Sequence, residues 1–170
     1  MSILSIIDVE LRGRRVLVRV DYNVPLDEEG YIVDDSRIRE SLPTVRHILD
    51  HGGRAILMTH LGRPNGVTES LRLKPVADRL SELLGRPVGY VPETVGPVAE
   101  QAAASLRDGS CLMLENLRFH DGETQNDVEF GRSLASLGDV YVNDAFGTAH
   151  RKHASTEGVT QFLPVRAAGF

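Results

Sequence analysis

Val16-Leu17-Val18-Arg19-Val20 and Ala55-Ile56-Leu57-Met58-Thr59 enclose a segment with apolar residues at helical spacing: Ile38, Leu42, Val45, Ile48 and Leu49. The flanking runs are short and rich in β-branched and aliphatic residues, as buried strands are. Between them Asp35 or Ser36 is a candidate helix cap, and Gly52-Gly53 is the stop. Pro43 leaves two readings for the start: a helix beginning near Ser41, or one running from Arg37 with a kink. In either case the unit is strand–helix–strand.

The same alternation continues outward. Pro75–Leu84, Val95–Leu106 and Val128–Leu137 read as helices, and Val88–Val91, Cys111–Leu114 and Val140–Val142 as strands, the last of these being the final clear strand. Strands separated by helices of about ten residues imply βαβ units and a mainly parallel sheet, and right-handed crossovers put helices on both faces. The expected fold is one doubly wound, Rossmann-like α/β domain. Its 170 residues suit a single domain with its own core.

Composition narrows the function. Hydrophobic residues make up 41% and charged residues 25%, and 19 basic against 24 acidic residues give a formal charge of −5. That balance argues against a nucleic-acid or membrane partner, both of which call for a broad basic surface. The N-terminus lacks the basic-then-apolar order of a secretory signal, so a cytoplasmic location is expected. The single cysteine, Cys111, lies in an apolar run and reads as an inert buried thiol.

Ligands of open parallel sheets bind beyond the carboxyl ends of the strands. Here those ends run into Asp21-Tyr22-Asn23, His60-Leu61-Gly62-Arg63, Glu115-Asn116-Leu117-Arg118 and Asn143-Asp144, the last continuing to His150-Arg151. Taken singly, Arg63, Arg118 or Arg151 reads as a solvated surface charge. Together they gather positive charge at one edge of an acidic protein. Guanidinium forks match carboxylate and phosphate oxygens, and Asp21 and Asn23 suit a hydroxyl, so the guest expected is a small phosphorylated hydroxy-acid. His47 with His51, and His150 with His153, have pairwise metal spacing but no third ligand, and no metal is expected. There is no Walker loop, no G-x-G-x-x-G after a strand and no G-x-S-x-G elbow.

These loops resemble the N-terminal domain of phosphoglycerate kinases. Arg19-Val20-Asp21-Tyr22-Asn23-Val24-Pro25 is similar to the family's R-V-D-F-N-V-P, with Tyr22 in place of Phe. Asp35-Ser36-Arg37-Ile38, His60-Leu61-Gly62-Arg63-Pro64, Leu114-Glu115-Asn116-Leu117-Arg118-Phe119 and Asn143 through Arg151 follow in the family's order, and the likeness spans Val16 to about Ser155. The resemblance implies transfer of a phosphoryl group between 1,3-bisphosphoglycerate and ADP, giving 3-phosphoglycerate and ATP. It implies Arg37 as the catalytic arginine, and Asp21 and Asn23 at the glycerate end. It implies His60, Arg63, Arg118 and Arg151 as a basic patch around the 3-phosphate, with Gly147 and His150 as second-tier candidates.

The family has a second domain, which carries the nucleotide and magnesium. Residues 1–170 are expected to form only the phosphoglycerate-binding domain. On that expectation the chain binds no cofactor itself, MgADP or MgATP being bound by the missing C-terminal domain, and it is inactive alone. A stand-alone anion-binding module is the alternative, and the missing glycine fingerprint disfavours a Rossmann-type oxidoreductase.

Overall fold

The computed structural model describes residues 4–145 and 151–170. Its strands are β1 (Leu4–Ser5), β2 (Arg15–Arg19), β3 (Arg54–Met58), β4 (Val88–Tyr90), β5 (Cys111–Met113), β6 (Val140–Asn143) and β7 (Val165–Ala168). Its helices are α1 (Ser36–Asp50), α2 (Lys74–Leu84), α3 (Pro97–Ala104), α4 (Asp121–Thr124) and α5 (Val128–Ala135). The strands form one sheet in the order β1-β7-β6-β2-β3-β5-β4, with every pair parallel.

Strand alternation divides the core into two layers. Val16 and Val18 of β2, with Ala55 and Leu57 of β3, pack against Ile38, Val45 and Ile48 of α1 and Val76 and Leu80 of α2. Leu17 and Ile56, one residue out of phase, face Ala99 and Ala103 of α3 and Phe130 and Leu134 of α5. This division follows from handedness. The chain moves in one direction along the sheet through β2, β3 and β4, and right-handed crossovers place α1 and α2 on one face. It then reverses, from β4 back to β5 and on to β6, and the same hand puts α3 and α5 on the other face.

α1 runs unbroken from Ser36, with Pro43 inside it, so the reading from the N-terminal side of the proline is the correct one. Pro43 lies on the exposed side, while Ile38, Val45, Ile48 and Leu49 are buried. Their burial outweighs the hydrogen bond that Pro43 cannot donate to the Arg39 carbonyl. Asp35 occupies the N-cap position, as one of the two expected candidates, but its side chain does not cap the helix. Asp34 accepts from the Ser36 amide at 2.9 Å, whereas the Asp35 carboxylate is taken by Arg39 and Arg79 at 2.8 and 2.7 Å. Gly52, at φ +78°, makes the left-handed turn after the helix.

Two strands were not foreseen. β7 lies between β6 and β1, and β1 contributes only two residues. β1 is too short, and β7 too rich in alanine, to leave a strand signal.

Replacing the exposed helix proline by alanine restores a donor without disturbing the core. Pro43→Ala is expected to raise the unfolding free energy by up to about 3 kcal/mol in urea titration. An unchanged or lowered value would show that α1 has adapted to the proline.

Candidate functional site

The reversal of direction sets the site. Chain leaving β3 turns to the α1/α2 face, whereas chain leaving the neighbouring β5 turns to the opposite face. The loops after β2 and β6 diverge in the same way. Diverging loops leave a crevice at the strand ends, and such switch points are where doubly wound sheets bind ligands.

A cleft of about 240 Å³ opens there, lined by Asp21, Asn23, Arg37, His60, Arg63, Arg118 and Arg151. All seven residues expected from the sequence thus come together. Gly147 and His150 lie outside the described residues.

Hydrogen bonds of Asn116, Glu115 and Asn23 fix the walls. Asn116, fully buried, accepts from the Leu61 and Arg118 amides at 3.2 and 3.0 Å and donates to the Leu61 and Leu71 carbonyls at 2.9 and 3.0 Å. It thereby ties the loop carrying His60 and Arg63 to the one carrying Arg118. Glu115, also buried, holds the Leu73 and Asn116 amides at 2.9 Å each, Arg72 at 3.1 Å, and the Tyr90 hydroxyl. Asn23 Oδ1 accepts from the Gly62 amide at 2.8 Å, which leaves its Nδ2 as a donor for a ligand. Gly62 adopts φ +66°, and a Cβ there would stand 3.0 Å from Leu71 Cδ1, so glycine is needed both for the turn and for the space.

Arg37, in the first turn of α1, reaches over the rim of the cleft. Its Nη1 donates to Asp21 Oδ1 at 3.1 Å and to the Asn23 carbonyl at 3.0 Å, and its side chain stays half exposed. Arg63, Arg118 and Arg151 are different. Elsewhere arginines pair freely with carboxylates, as Arg15 does with Asp139 and Arg54 with Asp108. These three make no ion pair among the described residues. Burial, followed by the charges of Arg151 and Arg63, lowers the Arg118 pKa, with Glu123 opposing. Converging guanidinium groups without acceptors form a site for a multiply charged anion.

His60 lines this cleft, as expected, and its ring is held neutral while the cleft is empty. Burial first, then the charges of Arg19, Arg118 and Arg151, push its pKa down to about 3. Its Nδ1 stands 2.7 Å from Arg19 Nη2. A guanidinium only donates, so Nδ1 must accept and the proton resides on Nε2. Arg19 is fully buried and was not singled out from the sequence, where one charge inside Val18-Arg19-Val20 looks like ordinary strand alternation.

Among the described residues no group of three or more His, Cys, Asp or Glu side chains could hold a metal ion. The cleft's donor set is also wrong for magnesium, which takes oxygen ligands. No helix among these residues is long and apolar enough to cross a membrane.

Comparison with known proteins agrees with this geometry. The family described as phosphoglycerate kinase matches residues 6–170. The chain belongs to the phosphoglycerate kinase family. It is 61% identical over 171 residues to phosphoglycerate kinase of Moorella thermoacetica, covering 100% of this chain and 43% of that protein. It is 57% identical to the phosphoglycerate kinase of Chlorobaculum tepidum over 164 residues, covering 96% of this chain and 41% of that one. The solved phosphoglycerate kinases of Coxiella burnetii and Pyrococcus horikoshii superpose with TM-scores of 0.88 and 0.89 at 34% and 33% identity, covering 99% of this chain and 42% of theirs. The chain therefore spans about two-fifths of the length of the phosphoglycerate kinases it matches.

The neutral His60 makes stability depend on pH. Its folded pKa lies below its unfolded value of 6.5, so below pH 6.5 the unfolded chain binds the additional proton. This contribution makes the protein less stable as pH falls from about 6.5 to about 3. Asp144 acts in the opposite sense, because burial raises its carboxyl to about 6 and the folded state then binds the proton first. The difference between wild type and His60→Gln isolates the histidine: urea unfolding at pH 7, 5 and 4 is expected to show a shallower decline in the variant. Parallel declines would contradict a buried neutral His60.

Proposed function

We propose that residues 1–170 are the phosphoglycerate-binding domain of a phosphoglycerate kinase, and that the whole enzyme transfers a phosphoryl group between 1,3-bisphosphoglycerate and ADP. The observation that carries this reading is the set of guanidiniums of Arg63, Arg118 and Arg151, which make no ion pair among the described residues and line one cleft together with Asp21, Asn23 and Arg37. The arrangement has two ends. The guanidiniums of Arg63, Arg118 and Arg151 take the non-reacting 3-phosphate, helped by a hydrogen bond from His60 Nε2. Asp21 and the Asn23 amide take the hydroxyl and carboxyl end, beside Arg37.

This division leaves Arg37 for the chemistry. Phosphoryl transfer needs alignment and neutralisation of charge on the equatorial oxygens more than covalent help. Arg37 is held lightly at the rim, and its guanidinium can move from Asp21 to a transferring group. The acceptor in the ATP-consuming direction is a carboxylate, already ionised at neutral pH, so no general base is required. A histidine whose Nδ1 accepts from Arg19, so that Nε2 carries the proton, fits that scheme as a hydrogen-bond donor. MgADP and MgATP belong, on this reading, to the further length that the family's members have, and no step involving them is assigned to residues of this chain.

Calorimetric titration of the chain tests the proposal. We expect 3-phosphoglycerate to bind with an affinity that falls as salt is added, MgATP not to bind appreciably, and no turnover to occur. Arg63→Ala and Arg151→Ala should each weaken binding about tenfold or more, the worth of a charge-assisted hydrogen bond, and Arg37→Ala should weaken it much less. In an enzyme with its nucleotide domain, Arg37→Ala should lower kcat far more than it raises KM. Tight MgATP binding by this chain, or equal effects of the three substitutions, would overturn the assignment.

A further inference from the structure

Behind the cleft lies a second layer of polar groups that has no contact with solvent. Glu123, in α4, is fully buried, as are Ser155 and Arg19. Glu123 Oε1 accepts from the Ser155 amide at 2.8 Å and Oε2 from the Ser155 hydroxyl at 2.5 Å. The Ser155 hydroxyl oxygen in turn accepts from Arg19 Nε at 2.9 Å. Arg19 Nη1 donates to the Val20 carbonyl, and its Nη2 donates to His60 Nδ1 at 2.7 Å. The order is therefore carboxylate, hydroxyl, guanidinium, imidazole, with each donor matched to an acceptor.

The same residue anchors the segment that bears Arg151, its carboxylate through Ser155 and its main chain through Ala154. The Glu123 carbonyl accepts from the Ala154 amide at 2.8 Å, the Ser155 carbonyl from the Tyr141 hydroxyl at 2.8 Å, and the Arg151 carbonyl from Thr156 Oγ1 at 2.5 Å. Glu123 also acts on the cations electrostatically, opposing the downward pull of burial on Arg19, Arg118 and His153. A buried guanidinium without a nearby carboxylate is strongly destabilising, and a carboxylate inside the cleft would compete with the guest. Glu123 resolves the conflict by standing one layer back.

We propose that Glu123 is a positioning residue for the cleft: through Ser155 and Arg19 it holds His60 in the tautomer protonated on Nε2, and through residues 154–156 it holds Arg151 in place. This deepens the reading of the cleft as a phosphate site and rests on that reading for its effect on affinity. Its effect on His60 is independent of any ligand.

Long-range proton–nitrogen NMR of the His60 ring in the ligand-free chain, together with titration by 3-phosphoglycerate, tests it. Wild type should show one tautomer, with Nδ1 unprotonated. Ser155→Ala removes only the linking hydroxyl and keeps every charge; it should give a mixture of tautomers and about tenfold weaker binding well below its unfolding temperature. Glu123→Gln should do so more strongly, and if that variant does not fold, Ser155→Ala carries the test. Wild-type His60 in mixed tautomers, or Ser155→Ala indistinguishable from wild type in tautomer and affinity, would overturn the proposal. A single tautomer in wild type that becomes mixed in Ser155→Ala, with no binding of 3-phosphoglycerate by either, would count against the substrate and leave the positioning role standing.

Discussion

The fixed hand of the crossover connection is the constraint from which the site follows. One reversal of direction along the sheet, after β4, sends the chain leaving β3 and the chain leaving β5 to opposite faces. No side chain has to pry those loops apart. The gap exists because a right-handed connection cannot follow its neighbour once the direction has changed. The polar side chains at the four strand ends then point into a space the topology has already made, and Asn116 and Asn23 only need to hold its width.

Charge sets the second condition. A cleft for a multiply charged anion must keep several guanidiniums close together, and like charges in a partly dry site repel. The protein meets this in two ways. His60 is kept neutral, so one member of the cluster donates a hydrogen bond without adding charge. The compensating carboxylate, Glu123, lies behind the wall. The remaining imbalance at Arg63, Arg118 and Arg151 costs stability in the empty state and favours whatever anion fills it. It is the usual trade between stability and function at a binding site.

Much of this could be read from the chain. The βαβ alternation was plain because Val16–Val20, Ala55–Thr59 and Cys111–Leu114 are buried on both faces and hence almost wholly apolar, Arg19 and Thr59 excepted. Asp21, Asn23, His60, Arg63 and Arg118 were legible because they follow those strands and Arg151 because it follows β6, whereas Arg37, inside α1, was legible only because the motif order resembled one family. What escaped was structure that depends on long-range partners. β7 exists because β6 and β1 flank it, not because Val165-Arg166-Ala167-Ala168 favours a strand. α1 tolerates Pro43 because four apolar residues on its other side are buried. Arg19 and Glu123 lie 104 positions apart and meet through Ser155, a relation that neither composition nor local spacing records.

The central claim is that Arg63, Arg118 and Arg151 receive the non-reacting phosphate while Arg37 waits at the other end. A crystal structure of the chain with 3-phosphoglycerate tests it most directly. The account predicts the phosphate within hydrogen-bond distance of Arg63, Arg118 and Arg151, with the carboxylate turned towards Arg37 and the hydroxyl towards Asp21. A molecule bound in the reverse orientation would contradict it, as would one lodged in the groove between Tyr31 and Arg79 with the cleft left empty.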